Sequence, residues 1–155
     1  MAGSLVLTSE LVAIGLDAVD ARQAIRALTA LLEQGGHVKD SFADAVLERE
    51  STFPTGLPTG EIAVAIPHAD SVHVLRSAMA VGVLAHPVKF QEMGDPETAL
   101  DVDVVMVLAI QDPKAVVPFL QRVCTILQDQ DLLARLKAST EARQVIEVLR
   151  SRLDS

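Results

Sequence analysis

Histidine is the side chain best suited to nucleophilic chemistry near neutral pH, because its unperturbed pKa of about 6.5 leaves a ring nitrogen unprotonated. The chain has four: His37, His68, His73 and His86. His37 follows two glycines, so we expect a solvated loop residue there. His86 precedes a proline at the end of a predicted strand, which favours an ordinary structural position. His68 and His73 therefore become the candidates for chemistry.

His68 is distinguished by what precedes it. A predicted buried strand, Ile62 to Ile66, leads directly to Pro67, which restricts the backbone before the imidazole, and Ala69 leaves space beside the ring. Reactive groups are often placed on loops held by a rigid sheet. A structural histidine fits these residues as well as a reactive one, so the setting alone leaves both alternatives open.

Phosphoryl transfer is the reaction that this setting favours. A ring nitrogen that donates its proton to a carbonyl or carboxylate leaves the other nitrogen as the attacking atom. The charge on the phosphoryl oxygens must then be met by placed donors. Arg49 offers a forked guanidinium. The hydroxyls of Thr55 and Thr59 and backbone N–H groups near Gly56 offer further phosphate-binding donors.

His73 lies five positions after His68. With Asp70 the two histidines could form a metal site, but no fourth ligand occurs at a recognised spacing, so we expect no metal and no cofactor. We expect His73 to contact the same phosphoryl group or to orient His68; an exposed loop residue is the alternative. Asp70 would repel a phosphate, so we expect it to point outward or toward a partner.

Other catalytic templates do not fit. The glycines match neither nucleotide-binding fingerprint, and no serine has the context of a nucleophile elbow. Neighbouring carboxylates, such as Glu48 and Glu50, are expected on solvated faces or strand edges.

Composition limits the remaining classes of protein. The 155 residues suit one domain, residues 1–155, and 50% of them are apolar. A net charge of -8 argues against nucleic-acid binding. The longest strongly apolar run is Val104 to Ile110, far short of the roughly 20 residues of a membrane span. No secretory signal is evident. The single cysteine, Cys124, is interpreted as an inert core thiol and fits a cytoplasmic location.

Apolar spacing and turn residues predict the elements that position these side chains. Asp112 and Pro113 are typical of a helix start, and Pro118 is expected to kink that helix. The pattern indicates an α/β fold with a sheet covered on both faces. The predicted strands are 5–7, 62–66, 77–84, 88–90 and 101–110, with a loop at 51–60. The predicted helices run from 20 to a stop at Gly35 and Gly36, from 40 or 41 to 50, from 112 to 129, over 132–137 and over 140–153.

The segment from Ile62 to Ala69 resembles the active-site signature of the fructose/mannitol class of EIIA domains in the bacterial sugar phosphotransferase system. The stretch from Arg49 to Gly56, with its Phe-Pro-Thr-Gly sequence, and His73 downstream resemble the galactitol-type branch most. The similarity extends over nearly the whole chain. It implies a single domain with a mixed β-sheet covered by helices on both faces.

The resemblance also implies a phosphoryl route. The phosphocarrier protein HPr would donate to His68, and His68 would pass the group to a cysteine of the cognate EIIB, while a membrane EIIC moves the sugar. His68 matches the phosphorylated histidine and Arg49 an arginine of the pocket. The chain itself would neither enter the membrane nor bind the sugar. A free-standing regulatory module that senses phosphorylation is the alternative function.

One departure from the family pattern concerns charge at the site. Mannitol- and fructose-type members carry a second active-site histidine near the start of the helix after the long central strand. The corresponding region here is 115–117, Ala-Val-Val, with no histidine. The absence is shared by the galactitol-like branch, and whether His73 takes over that role is a hypothesis.

Overall fold

A mixed β-sheet forms the middle layer of the computed structural model, which describes residues 5–153. The strands follow the order β1-β4-β5-β3-β2 across the sheet. β1 runs parallel to β4 and β3 parallel to β5, whereas β4 pairs antiparallel with β5 and β2 antiparallel with β3. The strands are β1 (Val12–Leu16), β2 (Gly56–Leu57), β3 (Ala63–Ala65), β4 (Ala78–Gln91) and β5 (Ala99–Ala109).

Helices cover both faces of this sheet. α1 and α2 pack against one face, and α3, α4 and α5 against the other. The predicted fold class, a mixed sheet with helices on both faces, is therefore confirmed; the domain bounds of 1–155 stay a prediction. Within residues 5–153, no helix is long and apolar enough to cross a bilayer. The helices are α1 (Ala21–Gln34), α2 (Phe42–Thr52), α3 (Val116–Ile126), α4 (Gln130–Ala138) and α5 (Ala142–Leu153).

The central strand β5 joins the two apolar layers. Val107 belongs to the layer under α1 and α2, whereas Met106 and Leu108 belong to the layer under α3 to α5. All three are fully buried. A strand that is buried on both faces has to be apolar at nearly every position. The sequence therefore predicted this strand from a continuous apolar run and not from an alternation of apolar and polar residues.

The predicted stop at Gly35 and Gly36 and the predicted cap at Asp112 are found in the structure, and Asp20 adds a cap that was not predicted. The Asp20 carboxylate accepts from the Gln23 backbone N–H at the start of α1, and Gly36, with φ of +76°, lies just past its end. Asp112 caps a short 3-10 turn that leads into α3. The predicted kink at Pro118 is wrong, because this proline is the third residue of α3, where the N–H has no partner within the helix.

The strand predictions are wrong where a strand contains a register shift or a left-handed glycine, or pairs through a single bridge. β1 was not predicted, and Gly15 within it adopts a left-handed φ of +67°. The strands predicted at 77–84 and 88–90 are one strand, β4, because a register shift between Val83 and Val88 keeps it paired with β5. In the predicted strand 5–7, Val6 alone pairs, through a bridge to Ala78.

β2 lies inside the segment predicted to be a loop. Gly56 pairs with Ala65 of β3, and its carbonyl accepts from the Met93 N–H at 2.8 Å. A Cβ on Gly56 would lie 2.6 Å from the Gln91 carbonyl oxygen, so the close approach of these two segments requires glycine. The Phe-Pro-Thr-Gly loop is thereby joined to the sheet.

We predict that Gly56→Ala lowers the free energy of unfolding by about 1–3 kcal/mol, since the added methyl group must push two backbone segments apart. Urea denaturation of the purified protein measures the change. Gly94→Ala is the matched control, because the nearest atom to a Cβ there is a Glu92 side-chain oxygen at 3.8 Å. Equal stability of the Gly56→Ala and Gly94→Ala variants would contradict this account of β2.

Candidate active site

His68 is held at the edge of the sheet beyond the end of β3. The Leu108 N–H donates to the Pro67 carbonyl at 2.9 Å, and His68 forms a bridge with Leu108 of the central strand. The chain leaving β3 is therefore still attached to β5 when it reaches the histidine. His68 is only 8% exposed. The sheet thus fixes the backbone on which the imidazole stands.

The ring of His68 has one nitrogen engaged. Nδ1 lies 2.9 Å from the Ile66 carbonyl oxygen, which can only accept, so Nδ1 carries the proton and Nε2 has the free lone pair. Burial is the main cause that lowers the pKa of His68, and the charge of Arg49 lowers it further. The hydrogen bond to Ile66 and the charge of Asp70 act in the opposite direction, and the pKa is lowered on balance. The ring is therefore a neutral nucleophile near pH 7.

The cleft at His68, of about 650 Å³, is built from three parts of the chain. The end of α2 contributes Arg49, and the loop after β3 contributes His68 to Val72. The segment between β5 and α3, together with the first two residues of α3, supplies the opposite wall, which is mostly apolar. That wall consists of Gln111, Pro113, Val116 and Val117.

Arg49 is the cation of this cleft. Its Nη1 lies 3.9 Å from Asp70 Oδ1, and its guanidinium stands 5.5 Å from the centre of the Phe53 ring. The Asp70 side chain is largely exposed, as predicted for a residue that points outward, so this ion pair contributes little stability. Arg49 can exchange such a weak partner for a stronger anion.

His73 lies in a neighbouring cleft of about 400 Å³. The two clefts share Arg49, Ala69 and Asp70. His73 Nδ1 forms a 2.8 Å hydrogen bond with Ser41 Oγ at the start of α2. The structure thus brings Arg49 next to His68, while His73 lies on the other side of the Arg49–Asp70 pair.

Thr55 and Gly56 are not among the described residues that line either cleft. The Thr55 hydroxyl donates to Glu50 Oε1 at 2.8 Å and accepts from the Ile66 N–H at 3.1 Å. The hydroxyl of Thr59, also predicted to bind phosphate, donates to the Ile62 carbonyl. These contacts hold β3 in place next to His68.

Two predictions about polar residues near the sheet are wrong. Glu50 is half-buried, not solvated: its carboxylate accepts from both the N–H and the hydroxyl of Thr55, and burial raises its pKa. His37 is 6% exposed, and its Nδ1 accepts from Arg76 Nε at 3.1 Å. Burial, and next the Arg76 charge, lower the pKa of His37. Both side chains are structural polar groups: His37 has a partner 39 residues away, and Glu50 has one five residues away in the loop that follows α2.

The remaining histidine and the cysteine have ordinary surroundings. His86 lies within β4, not at a strand end, and bonds Asp17 at 2.9 Å. Cys124 packs against the apolar layer of α3 to α5, and burial raises the pKa of its thiol. In the described part of the chain, no group of three His, Cys, Asp or Glu residues could hold a metal ion.

Sequence reasoning missed the second wall of the cleft and Ser71. In the sequence, Val116 and Val117 were noted only because related domains have a second active-site histidine in this region. Ser71 had no signal in the sequence, because a serine three residues after a histidine is common. The site therefore contains residues that only the tertiary structure identifies.

Known proteins resemble this chain in sequence and fold. A family model described as "Phosphoenolpyruvate-dependent sugar phosphotransferase system, EIIA 2" matches residues 5–152. The galactitol-specific EIIA component of Escherichia coli K12 is 28% identical over 130 residues, which cover 84% of this chain and 86% of the relative. The 2-O-alpha-mannosyl-D-glycerate-specific EIIABC component of the same strain is 32% identical over 132 residues, which cover 82% of this chain and 19% of the relative.

A solved structure supports the fold. The complex of enzyme IIA and phosphorylated enzyme IIB for mannitol from Escherichia coli matches with a TM-score of 0.80 at 24% identity, covering 96% of this chain and 100% of the IIA chain. The chain belongs to the EIIA 2 family of the phosphoenolpyruvate-dependent sugar phosphotransferase system. It is an EIIA component, a phosphoryl carrier in sugar transport, as the resemblance predicted.

We predict that His68 titrates with a midpoint below 6.5 in an NMR pH titration, because burial disfavours the imidazolium. The unfolded chain then binds more protons than the folded one between that midpoint and 6.5, so the free energy of unfolding falls as the pH decreases through this window. Arg49→Ala should raise the midpoint and Asp70→Asn should lower it. A wild-type midpoint at or above 6.5 would show that the ring is not desolvated.

Proposed function

We propose that His68 accepts a phosphoryl group from HPr and passes it to a cysteine of a cognate EIIB. The observation that carries this proposal is the buried His68 ring, whose Nδ1 is engaged with the Ile66 carbonyl beside the cation of Arg49. This arrangement supplies a nucleophile and a counter-charge in one cleft. His73 shares a cleft with Arg49 as well, but the ring of His68 is the one that is buried and oriented by a backbone carbonyl.

The transfer step needs no separate base. The lone pair of His68 Nε2 forms the new P–N bond while the P–N bond of the phosphorylated donor breaks, and the donor imidazole keeps that electron pair. The ring of His68 then carries positive charge, which the bond from Nδ1–H to Ile66 helps to stabilise. The reverse movement of electrons, with a cysteine thiolate of EIIB as nucleophile, releases the phosphoryl group from Nε2.

Arg49 is proposed to hold the phosphoryl oxygens in both transfers. Arg49 lines the His68 cleft, and its only ion pair with a described residue is the 3.9 Å contact to exposed Asp70. Its guanidinium also offers several hydrogen-bond donors in one plane. His73 is assigned a smaller part, through the cleft that it shares with Arg49. Direct phosphate binding by Thr55 and Gly56 stays a prediction; their contacts support a role in holding β3.

The surface around the two clefts suits protein partners. Phe53, Val72 and Val117 are large apolar side chains that stand exposed at the clefts, Val117 at 61%. Exposed apolar groups around a reactive residue favour docking of another protein. HPr and EIIB are the partners that the phosphoryl route requires, with a membrane EIIC after EIIB.

The system served is proposed to be galactitol-like, in the cytoplasm. The 28% identity to a galactitol-specific EIIA component and the Phe-Pro-Thr-Gly loop support that subtype. EIIB would separate this chain from the sugar, so no sugar site is expected on it. A free-standing regulatory module would use His68 in the same way but would have no EIIB to serve.

We predict that phosphoenolpyruvate, enzyme I and HPr together label the wild type with an acid-labile, base-stable phosphate, and that His68→Ala takes up none. His86→Ala is the matched control, since that exposed histidine bonds Asp17 away from the clefts. Equal labelling of His68→Ala and wild type would refute the assignment. Transfer from the labelled protein to a cognate EIIB supports transport, whereas labelling without transfer to EIIB supports the regulatory alternative.

We predict that Arg49→Ala is labelled about 100-fold more slowly than wild type, because a preorganised donor at the developing charge is lost. His73→Ala should be slowed by only a few-fold, since His73 lies in the neighbouring cleft. Rates of labelling by phosphorylated HPr at matched concentrations measure both. A wild-type rate for Arg49→Ala removes Arg49 from the site, and unchanged labelling and onward transfer in His73→Ala removes His73.

A further inference from the structure

Two buried polar side-chain atoms of the described residues have no hydrogen-bond partner, Arg49 Nε and Ser71 Oγ. Both residues line the His68 cleft. Buried polar groups are almost always paired, because an unpaired one has lost its water without gaining a partner. Two such atoms in one cleft point to a hydrogen-bond acceptor that binds in the His68 cleft during phosphoryl transfer.

The walls of the cleft restrict where donors for an anion can come from. Pro113, Val116 and Val117 form most of the side opposite the histidine loop, and none of their side chains can donate a hydrogen bond. Apart from the Gln111 amide, the side-chain donors of this cleft therefore lie on Arg49 and on the loop that carries His68. Ser71 is the hydroxyl residue among the described residues of this cleft.

Ser71 is fixed relative to His68 by a short 3-10 turn, Ser71–His73. The His73 N–H donates to the Asp70 carbonyl at 3.2 Å, and the Val74 N–H donates to the Ser71 carbonyl at 2.9 Å. The backbone of Ser71 is therefore held while its hydroxyl turns about a single side-chain bond. Such a group can reach a new acceptor without movement of the loop.

We propose that the Ser71 hydroxyl donates a hydrogen bond to a phosphoryl oxygen of phosphorylated His68, beside the guanidinium of Arg49. The proposal rests on the proposed function of His68. A hydroxyl adds a donor and no charge. It stabilises the phosphoryl group by a hydrogen bond. A second cation would bind the group more strongly and would oppose its transfer to the next partner. Ser71 thus acts on the cleft side that faces the apolar wall.

Removal of the hydroxyl has opposite consequences in the two states of the protein. In the unphosphorylated protein Ser71→Ala deletes an unpaired buried group, so the urea midpoint should stay equal or rise. In the phosphorylated protein it deletes a donor to an anion, so the phosphohistidine should hydrolyse about tenfold faster. A serine with only a structural role would instead lower the urea midpoint and leave the phosphohistidine lifetime unchanged.

The experiment compares wild type, Ser71→Ala and the control Ser151→Ala, whose hydroxyl donates to the Val148 carbonyl on α5. Each protein is phosphorylated with phosphoramidate, a small donor that requires no HPr. Phosphorus-31 NMR then follows the chemical shift and the decay of the phosphohistidine. We expect Ser151→Ala to match wild type, and Ser71→Ala to show a changed shift and a shorter lifetime.

A wild-type shift and lifetime in Ser71→Ala would overturn the role of Ser71. This outcome is separate from failure of the proposed function. If phosphoramidate labels His68 but phosphorylated HPr does not, the carrier role fails and the Ser71 comparison is still decided by the phosphoramidate samples. If neither donor labels His68, both proposals are overturned.

Discussion

The hydrogen bond from His68 Nδ1 to the Ile66 carbonyl is the contact on which the site depends, because it determines which ring nitrogen is free. That carbonyl is itself held in place. The Ile66 N–H donates to the hydroxyl of Thr55, and Pro67 is tied to Leu108 of the central strand. The reactive ring is thus oriented by the pairing of β3 with its neighbours and not by a second catalytic side chain. A short strand of three residues suffices, because the bonds continue past its end.

Charge around the histidine is arranged unevenly. Arg49 lies on one side of the cleft with only an exposed carboxylate, Asp70, at 3.9 Å, and valines form much of the opposite wall. The half-buried carboxylate of Glu50 instead accepts hydrogen bonds from the N–H and the hydroxyl of Thr55. The positive charge of Arg49 is therefore available near His68, because its partner carboxylate is exposed to water. A buried carboxylate would hold the guanidinium more tightly. This imbalance suits a group that must bind an anion and then give it up.

The sequence predicted the parts of the site that depend on local pattern. His68 was recognisable because a continuous apolar strand ends in Pro67, and Arg49 because of its place before the Phe-Pro-Thr-Gly loop. The fold class followed from the alternation of apolar strands and amphipathic helices. β1 and the register shift in β4 escaped prediction, since both depend on pairing between distant segments. The burial of His37 escaped for the same reason, because its partner Arg76 lies 39 residues away. The partner of Glu50 is local, but the turn that brings Thr55 back to its carboxylate has no periodic pattern in the sequence.

The position of Arg49 between two clefts has a consequence for how the protein responds to its surroundings. One guanidinium belongs to the wall of both spaces, so an anion that attracts it into one space withdraws it from the other. An anion at His68 and an anion in the His73 cleft would therefore compete for the same side chain. A phosphoryl group on His68 would thereby change the shape and charge of the neighbouring cleft as well, through the position of Arg49.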